Sequence, residues 1–213
     1  MTCSFELDHY RELIHAARQG GYRFRHFDRE PTAGDLFLRH DVDLMLEAAV
    51  VLAELEAGED VQATYFLMKE SVFYNLDSHE GRATLERLRG LGHRVGLHAV
   101  WPRADHDGRF DPVVAWHNPD PEYVSEALDG LVNVMAPPWF SRDTYRSDSN
   151  QHWRSGCPHE ELGAGRFEWL QLLVHPEIWV YRGETMRETM LSMLDRERDR
   201  RLEQLAEDRI DLS

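Results

Sequence analysis

The chain has 213 residues, 42% hydrophobic and 30% charged, and carries a formal net charge of −15. That length buries a sizeable core, and the composition is ordinary for a globular protein. The charge disfavours nucleic acid and anionic membrane surfaces as partners, and no apolar run approaches the ~20 residues of a membrane-spanning helix.

Residues 1–6 lack a basic stretch followed by an apolar one, the pattern of a secretory leader, so a cytoplasmic location is expected. Tyr10, Leu13, Ile14 and Ala17 then fall at helical spacing, and Gly20-Gly21 stop that helix. Leu36-Phe37-Leu38-Arg39 reads as a short buried strand leading into His40-Asp41-Val42-Asp43. Leu46, Ala49, Val50 and Ala53 mark a second helix, to about Ala57, and a strand follows over 63–67. Leu85, Leu88 and Leu91 belong to a helix that Gly92 ends.

Strands are next expected over 94–97, running into His98, and over 113–116, running into His117. A short helix near 122–128 and a strand over 131–135 precede a polar, irregular stretch from about 141 to 165. The last strand, 169–174, ends at His175. From about 184 to 210 a charged helix carries an apolar stripe of Met186, Met190, Met193 and Leu194, which Leu202 and Leu205 extend. It either docks on the body of the protein or mediates self-association. Only two cysteines are present, Cys3 and Cys157, and they read as incidental thiols.

Short apolar strands alternating with helices point to parallel strands covered by helices, an α/β class with a barrel-like sheet in one domain over 1–213. In such sheets the C-terminal strand ends share one rim, where active sites assemble. Four distant segments thus gather His40, Asp41, Asp43, His98, His117 and His175. Carboxylate and imidazole without cysteine suit zinc or a similar divalent cation, with one acid free to move a proton. Helix capping for the aspartates and core packing for the histidines are the simpler alternatives.

These segments resemble the polysaccharide deacetylase (NodB-like) superfamily of metal-dependent carbohydrate esterases. The likeness rests on Leu38-Arg39-His40-Asp41-Val42-Asp43, Ala63-Thr64-Tyr65-Phe66-Leu67, Gly92-His93-Arg94-Val95-Gly96-Leu97-His98 and Leu172-Leu173-Val174-His175-Pro176, in the family's order. Trp116-His117-Asn118-Pro119, Tyr145-Arg146-Ser147-Asp148-Ser149 and His175-Pro176-Glu177-Ile178-Trp179 are similar to a divergent branch found with surface-polysaccharide genes.

The resemblance implies a distorted (β/α) barrel that removes an acetyl group from a sugar, with Asp41 as base, Asp43 and His98 on a divalent metal, zinc by preference, and His175 as general acid. It also implies that Asp148 and Arg154 orient the catalytic groups and that His40, Trp153 and Trp179 meet the substrate. Val42 splits the family's usual Asp-Asp pair, leaving the roles of Asp41 and Asp43 exchangeable. Pro102 stands where a second metal histidine is usual, and His117 is its best replacement. An acetylated carbohydrate or small amide is the expected substrate. A catalytically silent binding protein, or an amidohydrolase acting on another C–N bond, are the alternatives.

Overall fold

The strands that carry the acids and histidines lie side by side and point the same way. The computed structural model describes residues 3–211. Its strands are β1 (Arg23–Phe24), β2 (Asp35–Val42), β3 (Thr64–Met68), β4 (Arg94–Ala99), β5 (Val113–Trp116), β6 (Val132–Asn133), β7 (Tyr145–Ser147) and β8 (Leu170–Val174). The helices are α1 (Leu7–Gln19), α2 (Leu46–Gly58), α3 (His79–Gly90), α4 (His159–Gly163), α5 (Pro176–Val180) and α6 (Met186–Glu207). The strands form one sheet in the order β6-β5-β4-β3-β2-β8-β7, with β1 also on β2. Each strand pairing within that order is parallel.

All eight residues of β2 are buried, as expected of a central strand covered on both faces. Its pleat sorts them. Leu36, Leu38 and Val42 join the larger core, under α1, α2 and α3, with Leu13, Leu52, Leu85 and Leu88. Phe37 turns the other way, into a second apolar cluster with Phe27, Phe66, Val113, Ala115, Val134 and Trp139. Gln171 of β8 helps to close that inner side: its Nε2 donates to the carbonyls of Val134 at 2.8 Å and Trp139 at 2.9 Å. The result is an α/β half-barrel whose inner face is packed with aromatic rings.

Gly96 is required by that packing. A Cβ built there would lie 2.5 Å from the Phe66 ring and 2.8 Å from Val113 Cγ2.

Two expected elements differ. Residues 122–128 form turns that end in a β-bridge from Leu128 to Leu131 rather than a helix, and the strand expected over 131–135 shrinks to Val132–Asn133. Pro119 and Pro121 restrict the entry to that stretch. The Asn133 side chain then donates to the carbonyls of Val124 at 2.9 Å and Glu126 at 3.0 Å, satisfying groups that a helix would pair internally. The stretch read as irregular, 141–165, contains β7, a 3₁₀ turn (Ser149–Gln151) and α4.

α6 is capped by a reciprocal pair in which Thr185 accepts from the Glu188 N–H while the Glu188 carboxylate accepts from Thr185 N–H. Met193 packs with Met45, Ala48 and Tyr181, whereas Leu194 and Leu202 are exposed. The apolar stripe therefore docks only in its first half. Among the described residues no helix is long and apolar enough to cross a membrane.

Candidate metal centre and active site

Because the strands are parallel, the C-terminal ends of β2, β4, β5 and β8 share one rim, and three donor groups meet there. Asp43 Oδ1 lies 3.1 Å from His98 Nε2 and 3.2 Å from His117 Nδ1, and the two ring nitrogens are 3.1 Å apart. Asp43 follows β2 and Tyr74 pins this corner, its hydroxyl accepting from Met68 N–H and donating to the Val42 carbonyl, both at 2.7 Å. His117 follows β5, and its backbone N–H donates to the Ala99 carbonyl at 2.8 Å.

The protonation pattern prepares the group for a cation. His98 Nδ1 donates to the Ala115 carbonyl at 3.0 Å, which leaves Nε2 with its lone pair facing Asp43. His117 Nε2 lies 3.2 Å from the Asn118 side-chain amide, so its Nδ1 is the atom turned inward. Asp43 Oδ1 is buried yet has no hydrogen bond of good geometry. Burial works to raise the Asp43 pKa, but His117 and then His98 outweigh it and hold the group well below the usual carboxylate range. One carboxylate and two imidazoles on a triangle of roughly 3 Å fit a zinc-class ion with bonds of about 2.0–2.2 Å.

His175 stands across the site, its Nε2 3.9 Å from Asp43 Oδ2. Asp148 sets its orientation. The carboxylate accepts the His175 ring Nδ1–H at 2.6 Å, its backbone N–H at 3.1 and 3.2 Å, and the Trp179 indole N–H at 2.7 Å. Burial lowers the His175 pKa, but the charge and hydrogen bond of Asp148 overcome this and push it up to about 10. The ring is thus held as a proton donor at neutral pH.

Asp41 lies below the metal candidates, its Oδ2 3.8 Å from His98 Nε2. Arg39, two residues back on the same face of β2, grips it bidentately at 2.6 and 2.8 Å. Burial raises the Asp41 pKa, and the Arg39 charge followed by His98 reverses this, keeping the carboxyl ionised below its ordinary range. Arg39 is itself buried, donating to Gln171 Oε1 at 3.2 Å and lying over the Phe66 ring at 5.5 Å.

Asp41, Asp43, His98, His117, His175 and Asp148 are therefore gathered as expected, but four other expectations are corrected. His40 is fully buried on the opposite face of β2, with its Nε2 2.7 Å from Glu56 of α2, so it does not reach a substrate. Successive strand residues face opposite ways, and the aspartates on either side of it exclude it from the rim. Trp179 is buried and spends its N–H on Asp148, while Trp153 is buried against Phe5 and donates to Cys3 Sγ at 3.3 Å. Trp153 borders the cleft of Arg154 rather than the one beside His98. Arg154 is exposed and borders a cleft with Arg142 and Arg146; among the described residues no hydrogen bond joins it to Asp148 or His175.

Three residues were not singled out from the sequence. Arg39 was detectable, since it shares the period-two face of Asp41. Glu177 is 2% exposed, has an unpartnered buried Oε2, and is pushed up to about 8, chiefly by burial. Nothing in the pattern Pro176-Glu177 announces that. Tyr74 reaches the site from a loop with no periodic signal.

No protein-family model matches the sequence, and no curated protein matches it. Among solved structures, the chain is similar to a Bdellovibrio bacteriovorus peptidoglycan deacetylase, at 16% identity and a TM-score of 0.38. The match covers 86% of this chain and 54% of that one, so the chain spans about half that protein's length.

Proposed function

We propose that the protein is a metal-dependent hydrolase that removes an acetyl group from a sugar. The observation that carries this reading is the convergence of Asp43 Oδ1, His98 Nε2 and His117 Nδ1 on one point, with the Asp148-held His175 opposite. A zinc-class ion held by those three residues would lower the pKa of a water to about 7 and polarise an acyl oxygen.

The chain's own groups account for the proton movements. Asp41, kept ionised by Arg39, accepts the proton of the attacking water. The water oxygen bonds to the acyl carbon and the C–N or C–O bond breaks. His175 delivers its proton to the departing nitrogen or oxygen, so that acetate and an amine or alcohol result. His117 supplies the third donor that Pro102 does not.

A cleft of about 760 Å³ beside His98, bordered by Lys69, Trp101, Arg103 and Asp105, combines one aromatic face with charged groups. That mixture and size suit one or two sugar rings. The preference for a sugar over another amide comes from the resemblance of the motif segments.

The test is zinc-loaded protein assayed for acetate release from acetylated glucosamine oligomers, beside Asp43→Asn and His117→Ala. The expected outcome is metal-dependent release that both substitutions reduce by roughly 100-fold or more, as loss of a ligand should exceed the cost of losing its supporting shell. Release that ignores metal, or survives both substitutions, overturns the reading.

A further inference from the structure

We propose that Cys3, His9 and Cys157 form a second metal site, built for a thiophilic divalent cation of the zinc class. Their sulfur and ring-nitrogen atoms all lie within 4.8 Å of one another, and His9 Nε2 is 3.2 Å from Cys157 Sγ. Two thiolates and one imidazole are the softest donor set in the chain, unlike the oxygen and nitrogen donors at the strand ends.

A supporting shell accompanies the donors. Glu12 Oε2 accepts from His9 Nδ1 at 2.8 Å, one helical turn away on α1. That contact holds the ring by Nδ1 and aims Nε2 at Cys157, the carboxylate–histidine–metal arrangement that fixes ring orientation. The Trp153 indole donates to Cys3 Sγ at 3.3 Å and so fixes where that sulfur points. His9 is 6% exposed, so its ring is held by packing rather than sampling solvent.

Cys3 and Cys157 line a cleft of about 960 Å³ with Gln151, His152 and Glu188, which provides an entry path and room for water at a fourth position. The three donors come from the N-terminal segment, from α1 and from the residues just before α4. A bound ion would therefore tie the segment after β7, which carries Asp148, to the first helix. A clamp closing so long a loop stabilises the fold by binding it and not the unfolded chain.

The experiment uses reduced, chelator-stripped protein reloaded with cobalt(II) or zinc. Cobalt should give a sulfur-to-metal charge-transfer band in the wild type and in Asp43→Asn, and none in Cys157→Ser. Zinc content should fall by about one equivalent per chain in Cys157→Ser whether or not the strand-end site is intact. If the strand-end site holds no metal, the wild type and Asp43→Asn bind the same amount, and Cys157→Ser binds none.

Should Cys157→Ser fail to fold, thiol titration of the wild type decides: zinc should shield both cysteines and a chelator expose them. Glu12→Gln, which leaves the donors in place, should weaken zinc retention by roughly 10- to 100-fold. The proposal is overturned if reduced wild type gives no sulfur-to-cobalt band, if both thiols react equally fast with and without zinc, or if the only product is a Cys3–Cys157 disulfide.

Discussion

Asp148 holds His175 by both its ring and its main chain, accepting Nδ1–H at 2.6 Å and the backbone N–H at 3.1 Å. The carboxylate is fully buried, and a third donor, the Trp179 indole, fixes its second oxygen at 2.7 Å. Orientation and charge of the imidazole thus come from one side chain.

Asp148→Asn should therefore cost roughly 10²- to 10⁴-fold in turnover, the range for losing general acid catalysis. It should also change the pH dependence of stability. The His175 pKa rises from an ordinary ~6.5 to about 10 on folding, so the protonated ring stabilises the fold fully below ~6.5 and loses that contribution as pH rises through 10. Urea unfolding of metal-free protein between pH 7 and 10 should show a decline in the wild type that the variant lacks. Parallel curves would remove Asp148 as the cause.

His40 offers the contrasting case, a histidine within the motif that serves the core. Glu56 is fully buried and accepts from the Tyr65 hydroxyl at 2.7 Å, from the Tyr10 hydroxyl and from His40 Nε2 at 2.7 Å. Burial alone would raise its pKa; His40, and then His93, more than offset that and lower it. Removing one member of a buried charged network leaves its partners unpaired, so Glu56→Ala should cost about 3–5 kcal/mol. Because the depressed carboxyl stabilises the fold above ~4.5 and stops doing so as pH falls through its folded value, the wild type should lose this margin in acid. Chemical denaturation at pH 7 and 4 measures both effects. Metal content of the folded variant should be unchanged, since none of these groups reaches the rim.

Much of this was legible because strand and helix periods differ. Leu13, Ile14 and Ala17 marked α1, and the histidines at the C-terminal ends of β4, β5 and β8 marked the rim. Depth was harder to read. Nothing local distinguishes His40 from His98, since each ends an apolar run; only the alternation set by Asp41 and Asp43 places His40 behind the sheet. β7 was hidden because it joins the edge of the sheet through main-chain pairing with β8, which polar residues such as Arg146 and Ser147 provide as well as apolar ones. The metal-like grouping of Cys3 with Cys157 depends on a contact across more than a hundred residues, and two thiols so far apart carry no spacing signal.

Gly96 tests how closely β4 is held against the ring of Phe66. Gly96→Ala would place a methyl within 2.5 Å of Phe66 Cε1, and neighbouring backbone or ring must move. Overpacking of this kind costs about 1–3 kcal/mol. His98 lies two residues further along the same strand face, so metal affinity should fall together with thermal stability. Gly96→Ala with undiminished stability would mean that the inner cluster has more room than these distances allow.

Arg39 decides whether the buried pair with Asp41 serves stability or aim. It is 1% exposed, and its guanidinium fork meets both carboxylate oxygens. Arg39→Met leaves Asp41 ionised, buried and unpaired, and should cost about 3–5 kcal/mol. Arg39→Met combined with Asp41→Leu should recover most of that loss, because an apolar pair of similar volume avoids desolvating two charges. That double variant should nevertheless have no turnover, having lost the base. Arg39→Lys keeps the charge but not the fork. It should lower kcat by roughly 10- to 100-fold with KM little changed, the signature of a mis-aimed carboxylate rather than a lost substrate contact. If Arg39→Lys instead raised KM at constant kcat, Arg39 would be binding substrate, and Asp41 would not need its aim.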